Sequence, residues 1–221
     1  MTAVVLARRL EEALDRPVLP VFWIASEDHD WDEARTSYVL DRENVLQEVS
    51  LPARAGSPAP SIYRIALGPE VDEARRRFLD LHPETDYLQR WREVIESAYF
   101  PGANLADAFQ RVLDALLGPS GLFLVQAHHG ELKARSLPIL LRELRETAER
   151  VSALESRSRE LAGAGHPVQV PVLEGASNVF LEGPGGRERL IVDGDGFRLR
   201  ASGVRVTFAE IEARARADPL A

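Results

Sequence analysis

Residues 26–30 read Ser26-Glu27-Asp28-His29-Asp30, which places a hydroxyl, three carboxylates and an imidazole within five positions. Groups this close can hold a hydrated cation through carboxylate oxygens, bind sugar hydroxyls, or supply a general acid and a general base. The competing reading is a helix N-cap, in which Ser or Asp ahead of Asp32-Glu33 accepts free backbone amides and suits the helix dipole. A second polar group is His128-His129, with Lys133 shortly after it. If its strand neighbours the first, these imidazoles face the acidic block, and a His/carboxylate metal site becomes conceivable. Adjacent histidines on a turn more commonly form a solvated loop, and no metal is assigned. Lys133 could reach a phosphate, although a lone lysine is usually a surface charge.

Both groups follow short apolar runs. Residues 17–25 are almost continuously apolar, the pattern of a strand buried on both faces in a parallel sheet. Residues 121–125 repeat it. A polarity switch at the carboxyl end of such a strand is where open α/β sheets bind ligands. Around these runs, residues 3–14 read as an amphipathic helix, and residues 38–40, 45–51 and 62–67 as strands, with Pro52, Gly56, Pro58 and Pro60 making a loop. Residues 71–81 and 87–99 read as helices. Asn104 caps a helix over 105–117 that Gly118 ends. Residues 131–161 form a long helical stretch that Pro138 is positioned to kink.

Beyond Gly163 the pattern changes. Val168, Val170 and Val172 alternate, and residues 179–181, 189–192 and 197–200 read as short strands separated by Gly183-Pro-Gly-Gly186, Asp193-Gly194 and Asp195-Gly196. The first of these is a hairpin turn and not a phosphate loop, because it lacks the Walker pattern and a following helix. Thr207 and Glu210 have capping-box spacing for a last helix. The expected organisation is α/β: core over 1–67, a helical insertion over 68–100, continuing core with a long helix over 101–161, and a small antiparallel β module over 162–221.

Composition narrows the chemistry. The 221 residues include no cysteine, which excludes disulfides, thiolate metal sites and cysteine nucleophiles. Acids outnumber bases 35 to 27, a net charge of −8 that argues against a general nucleic-acid binder. No apolar run is long enough to span a membrane. The expectation is a cytoplasmic protein with small-molecule substrates and neither nucleic acid nor membrane as partner.

Residues 20–33, Pro-Val-Phe-Trp-Ile-Ala-Ser-Glu-Asp-His-Asp-Trp-Asp-Glu, resemble the signature of the BshC family, to which the cysteine-adding step of bacillithiol biosynthesis is assigned. The blocks Leu105-Ala-Asp-Ala-Phe109, Gly121-Leu-Phe-Leu-Val125, Glu131-Leu-Lys133, Gly165-His-Pro-Val-Gln-Val170 and Asn178-Val-Phe-Leu181 resemble later family regions in the same order. The resemblance implies a Rossmann-like core with a parallel sheet, a cysteine ligase joining cysteine to glucosaminyl malate by amide-bond formation, ATP as activating cofactor, and a homodimer held by a coiled coil. By the same resemblance Asp28, His29 and Asp30 are the expected catalytic residues and Ser26 and Glu27 the expected substrate-binding ones. No cofactor-binding residue is assigned; the cationic candidates for a phosphate near these strand ends are Arg35 and Lys133. The family usually has Asn-His where this chain has Arg35-Thr36, and an aspartate where it has Gln126. Family chains are more than twice as long, so the likeness is to an internal piece, expected to show little ligase activity by itself. The alternatives are a non-catalytic binding module derived from that fold and, more remotely, a His/carboxylate metallohydrolase.

Overall fold

The computed structural model describes residues 1–54, 60–183 and 186–220. The chain forms two compact units, Met1–His128 and His129–Ala221.

In the first unit, helix α1 (Thr2–Leu14) buries Val4 and Ala7 and ends on Asp15 in the left-handed conformation. Strand β1 (Val21–Ile24) follows, then the single-turn helix α2 (Trp31–Ala34) and the antiparallel hairpin of β2 (Thr36–Leu40) and β3 (Leu46–Ser50). Helices α3 (Glu70–Leu81), α4 (Leu88–Ala98) and α5 (Leu105–Leu117) lead to β4 (Phe123–Gln126). β1 and β4 pair in parallel, with Ile24 opposite Gln126. This α/β arrangement around a parallel pair is the expected one. The core of the unit gathers Trp31, Leu51, Ile62, Ile65, Leu67, Val71 and Leu105.

The parallel pair differs from expectation in one respect. Val21, Phe22 and Trp23 are 49%, 42% and 55% exposed, and of β1 only Ile24 is buried. A continuous apolar run signals a strand covered on both faces, but among the described residues β4 is the only strand beside β1. Residues 62–67 also depart from the expected strand. Ile62–Arg64 is a 3₁₀ turn, followed by a single bridge between Ala66 and Asn104. The amides that a ladder would use are taken elsewhere: Ile62 N–H donates to the Asp28 carbonyl at 2.6 Å and Tyr63 N–H to the Ser26 carbonyl at 2.9 Å. The segment is thus a strap across the acidic loop. Of the loop before it, Gly56 and Pro58 lie outside the described residues.

Asn104 caps α5 as its sequence position predicts. Its side-chain oxygen accepts from Ala106 N–H at 2.9 Å and Asp107 N–H at 3.3 Å, and its amide nitrogen donates to the Tyr63 carbonyl. The same side chain therefore starts the helix and fixes the strap. Asn104→Ala is expected to cost about 1–2 kcal/mol, the upper part of the usual N-cap range, as read by chemical denaturation.

In the second unit the long helical stretch is two helices, α6 (Gly130–Arg145) and α7 (Thr147–Gly163). The break falls at Glu146 and not at Pro138, which is accommodated inside α6. Arg142 and Arg150 both donate to the Glu146 carboxylate, which holds it below the usual carboxylate range. The alternating Val168, Val170 and Val172 form no strand: Pro167 and Pro171 are interspersed and lack the N–H that a ladder needs.

An antiparallel sheet follows in the order β5 (Ala176–Gly183), β6 (Gly186–Asp193), β7 (Gly196–Leu199) and β8 (Arg205–Val206). Gly183 pairs with Gly186, so that glycine-rich segment closes a hairpin, although its Pro184 and Gly185 lie outside the described residues. β6 and β7 are joined by two residues, of which Gly194 has φ +65°, the left-handed first position that such hairpins favour. Helix α8 (Phe208–Ala217) starts with the expected capping box: Glu210 N–H donates to Thr207 Oγ1, and the Thr207 N–H and hydroxyl donate to the Glu210 carboxylate, whose pKa those two bonds lower. Leu144, Val179, Leu181, Leu190, Phe197, Leu199 and Ile211 form this unit's core. Among the described residues no helix is long and apolar enough to cross a membrane.

Candidate functional site at the parallel-strand ends

Register builds the site. Because Ile24 pairs with Gln126 in a parallel ladder, Ser26 and His128 each lie two residues past level strand ends, although they are 102 positions apart in sequence. Ser26 Oγ and His128 Nδ1 are 2.8 Å apart. The hydroxyl donates when Nδ1 is bare and accepts when Nδ1 carries the proton. Ser26 is buried, only 1% exposed. The His128 ring stacks on Tyr63, with centroids 4.3 Å apart and planes 8° from parallel. The Arg64 guanidinium lies 4.9 Å from the other ring of that stack, Tyr63. A hydrogen bond and a stacked face thus help to fix the imidazole.

The acidic loop is fixed by its backbone. Besides the two strap amides, Asp28 N–H donates to the Ala25 carbonyl and Trp31 N–H to the His29 carbonyl. Asp28 Oδ1 accepts from His29 N–H at 2.7 Å and lies 3.5 Å from His29 Nδ1. Both side chains are 54% exposed, so this carboxylate–imidazole pair faces solvent. Asp30 Oδ1 accepts from Glu33 N–H at 3.0 Å. The cap and the chemical readings of this block therefore divide between residues: Asp30 starts α2, whereas Asp28 and His29 stand clear of it. Ser26, expected to touch substrate, is buried, with its hydroxyl against His128.

Trp31, inside the signature block, anchors α2: it is buried and its Nε1 donates to the Pro52 carbonyl at 3.0 Å. Arg35 Nε donates to Asp32 at 2.8 Å and its terminal nitrogen to the Leu51 carbonyl at 2.8 Å. Arg35 lines a cavity of about 420 Å³ between the β2–β3 hairpin and α3–α5, otherwise walled mainly by apolar side chains such as Val71, Phe78, Tyr99 and Phe109. Burial raises the Tyr99 phenol above its usual pKa.

At the end of β4, Gln126 Nε2 donates to Asp107 Oδ1 at 2.7 Å and Gln110 Oε1 at 2.5 Å. Its own Oε1 is buried, with no hydrogen-bond partner among the described residues. A carboxylate thus stands beside this strand end after all, supplied by α5. Asp107, Tyr63 and Arg64 were not legible as site residues: the first reads as a helix residue, the other two as part of a strand. His128 was legible from the polarity switch, its partner was not. Among the described residues no group of three or more His, Cys, Asp or Glu could hold a metal ion.

A model of the N-terminal Rossmann-like domain of the bacillithiol biosynthesis protein BshC matches residues 1–221. A Salinibacter ruber protein named "Putative cysteine ligase BshC" is 29% identical over 203 residues, covering 91% of this chain and 37% of its own length. Proteins of the same name from Chlorobaculum tepidum and Koribacter versatilis are 34% identical over 170 residues and 30% over 217. These alignments cover 76% and 98% of this chain but 30% and 39% of the relatives.

Proposed function

The chain belongs to the BshC family, through its N-terminal Rossmann-like domain, and from that premise we propose that its parallel-strand ends bind the substrates of a cysteine ligase of bacillithiol biosynthesis. In that reaction the amine of glucosaminyl malate attacks the activated carboxyl of cysteine. A C–N bond forms, the activating group leaves with the electron pair of the broken C–O bond, and the nitrogen loses a proton. A neutral amine and a nearby proton acceptor favour such a step.

The carrying observation is that Ser26 meets His128 where β1 and β4 end level, with the exposed Asp28–His29 pair following Ser26 on the same loop. In this reading Asp28 and His29 receive the hydroxyl and amine groups of glucosaminyl malate and the departing proton. Glu27 borders them, Asp30 shapes the loop, and Ser26 acts through His128. ATP as the activating cofactor is part of the proposal. Arg35 gives two of its five N–H groups to Asp32 and the Leu51 carbonyl, and no step is assigned to ATP. The cap role of Asp30 favours the second reading, a binding module of the same fold without catalysis.

Calorimetry with glucosaminyl malate tests the site. Saturable binding is expected, reduced at least about tenfold, roughly 1.4 kcal/mol, in Asp28→Asn and in His29→Ala. Both side chains are exposed, so melting temperatures should stay within a degree or so of the parent. Absence of binding, or parent-like affinity in both variants, defeats the assignment.

A further inference from the structure

The outer face of the antiparallel sheet carries arginines for which the ligase reading has no use. Phe180 on β5 pairs with Arg189 on β6, and Arg200 N–H donates to the Arg189 carbonyl, so Phe180, Arg189 and Arg200 form one row across the sheet. In the next row Ile191 pairs with Arg198, and Arg198 with Arg205. Arg187 lies two residues before Arg189 and therefore on the same face. The other face is the core, to which Leu190, Phe197 and Leu199 belong.

Two like-charged pairs thus stand directly opposite each other, Arg189 with Arg200 and Arg198 with Arg205, an arrangement that destabilises a sheet. Two carboxylates, Asp193 and the Glu182 opposite Arg187, stand on this face against five guanidiniums. Arg205 pairs with Asp193 at 2.8 Å. Among the described residues Arg187, Arg189, Arg198 and Arg200 form no ion pair, in a chain whose acids outnumber its bases 35 to 27. Glu188, between two of them in sequence, is buried on the opposite face, where it accepts from the Ala201 and Ser202 amides. Phe180 orders part of the cluster: the guanidiniums of Arg187 and Arg189 lie 4.1 and 4.9 Å from its ring centre. A guanidinium stacked on a ring keeps its N–H edge available for a bidentate oxyanion.

We propose that this face docks an extended, carboxylate-rich segment of a partner protein. The spacings agree: alternate side chains of an extended peptide lie about 6.6 Å apart, as do the arginine rows along β6. Charge complementarity supplies the attraction, and each docked carboxylate relieves a repulsion already present. A single-stranded nucleic acid fits less well. The aromatic ring of this face is occupied by guanidiniums and so offers no stacking platform, and a net charge of −8 opposes a long polyanion.

The test uses the full chain with a fluorescein-labelled octaglutamate peptide, and an oligothymidylate of similar charge as competitor. Saturable peptide binding is expected, weakening at least about tenfold between roughly 50 and 300 mM salt. It should fall at least tenfold in Arg189→Gln/Arg200→Gln and severalfold in Arg198→Gln. Melting temperatures of these variants should equal or exceed that of the parent, because a like-charge pair is removed. A purely structural role would lower them. Failure of the peptide to bind, parent-like affinity in both variants, tighter binding of the oligothymidylate, or lowered melting temperatures in both variants would each overturn the proposal.

Discussion

His128→Ala is expected to destabilise the first unit by about 2 kcal/mol and to weaken glucosaminyl malate binding by at least tenfold. The stability loss has two sources. The Ser26 hydroxyl, 1% exposed, loses the 2.8 Å partnership with Nδ1, and an unsatisfied buried polar group costs about 1–3 kcal/mol. Tyr63 loses a ring stacked at 4.3 Å, worth about 0.5–1.5 kcal/mol beyond its area. The binding loss follows only if the imidazole, and not the packing alone, serves the ligand. Ser26→Ala separates these contributions. It keeps the stack but removes the Ser26 hydrogen bond that orients the ring, so it should lower affinity with a smaller loss of stability. Denaturation and calorimetry on both variants read the two effects. A His128→Ala protein that binds as tightly as the parent would remove the imidazole from the site.

Leu190→Ala carries the largest expected loss of stability. Leu190 is fully buried, among Val179, Leu181, Phe197, Leu199 and Ile211. Truncating such a leucine costs about 2–5 kcal/mol, depending on how far the cavity collapses. Domains are typically stable by only about 5–15 kcal/mol, so much of the second unit's margin would go. Amide exchange in β5, β6 and β7 should accelerate by at least about thirtyfold for each 2 kcal/mol lost. Val192→Ala on the same strand is the control: Val192 is 42% exposed, and its truncation should cost well under 1 kcal/mol. Equal effects at the two positions would mean that this sheet has no defined core.

The elements legible in the sequence are those set by local chemistry. Asn104 and Thr207 cap helices because a short oxygen-bearing side chain meets free amides wherever a helix begins there. The β6–β7 turn needs Gly194 at positive φ, and no distant residue alters that. The acidic block was legible as a polarity switch at a strand end, and with it the fold class and the family. Elements that depend on distant partners were not legible. Residues 62–64 carry strand-forming side chains, yet their amides bond the carbonyls of Ser26 and Asp28, and they turn. The break in the long helix falls at Glu146, where the backbone leaves helical geometry at φ −102° and ψ 19°, and not at the proline that sequence rules single out.

The sequence by itself determined that oxygen-bearing and imidazole groups follow two apolar strands, since residue type and short-range spacing suffice for that. Only the tertiary structure decided which of them meet. A parallel ladder aligns residues about a hundred positions apart, and a one-residue slip would move every side chain to the opposite face. That register brings Ser26 to His128 and leaves Asp28 and His29 in solvent. The sequence likewise marks residues 21–24 as a strand fit for burial, but burial is a property of what packs against a strand, and in this chain most of β1 stays exposed.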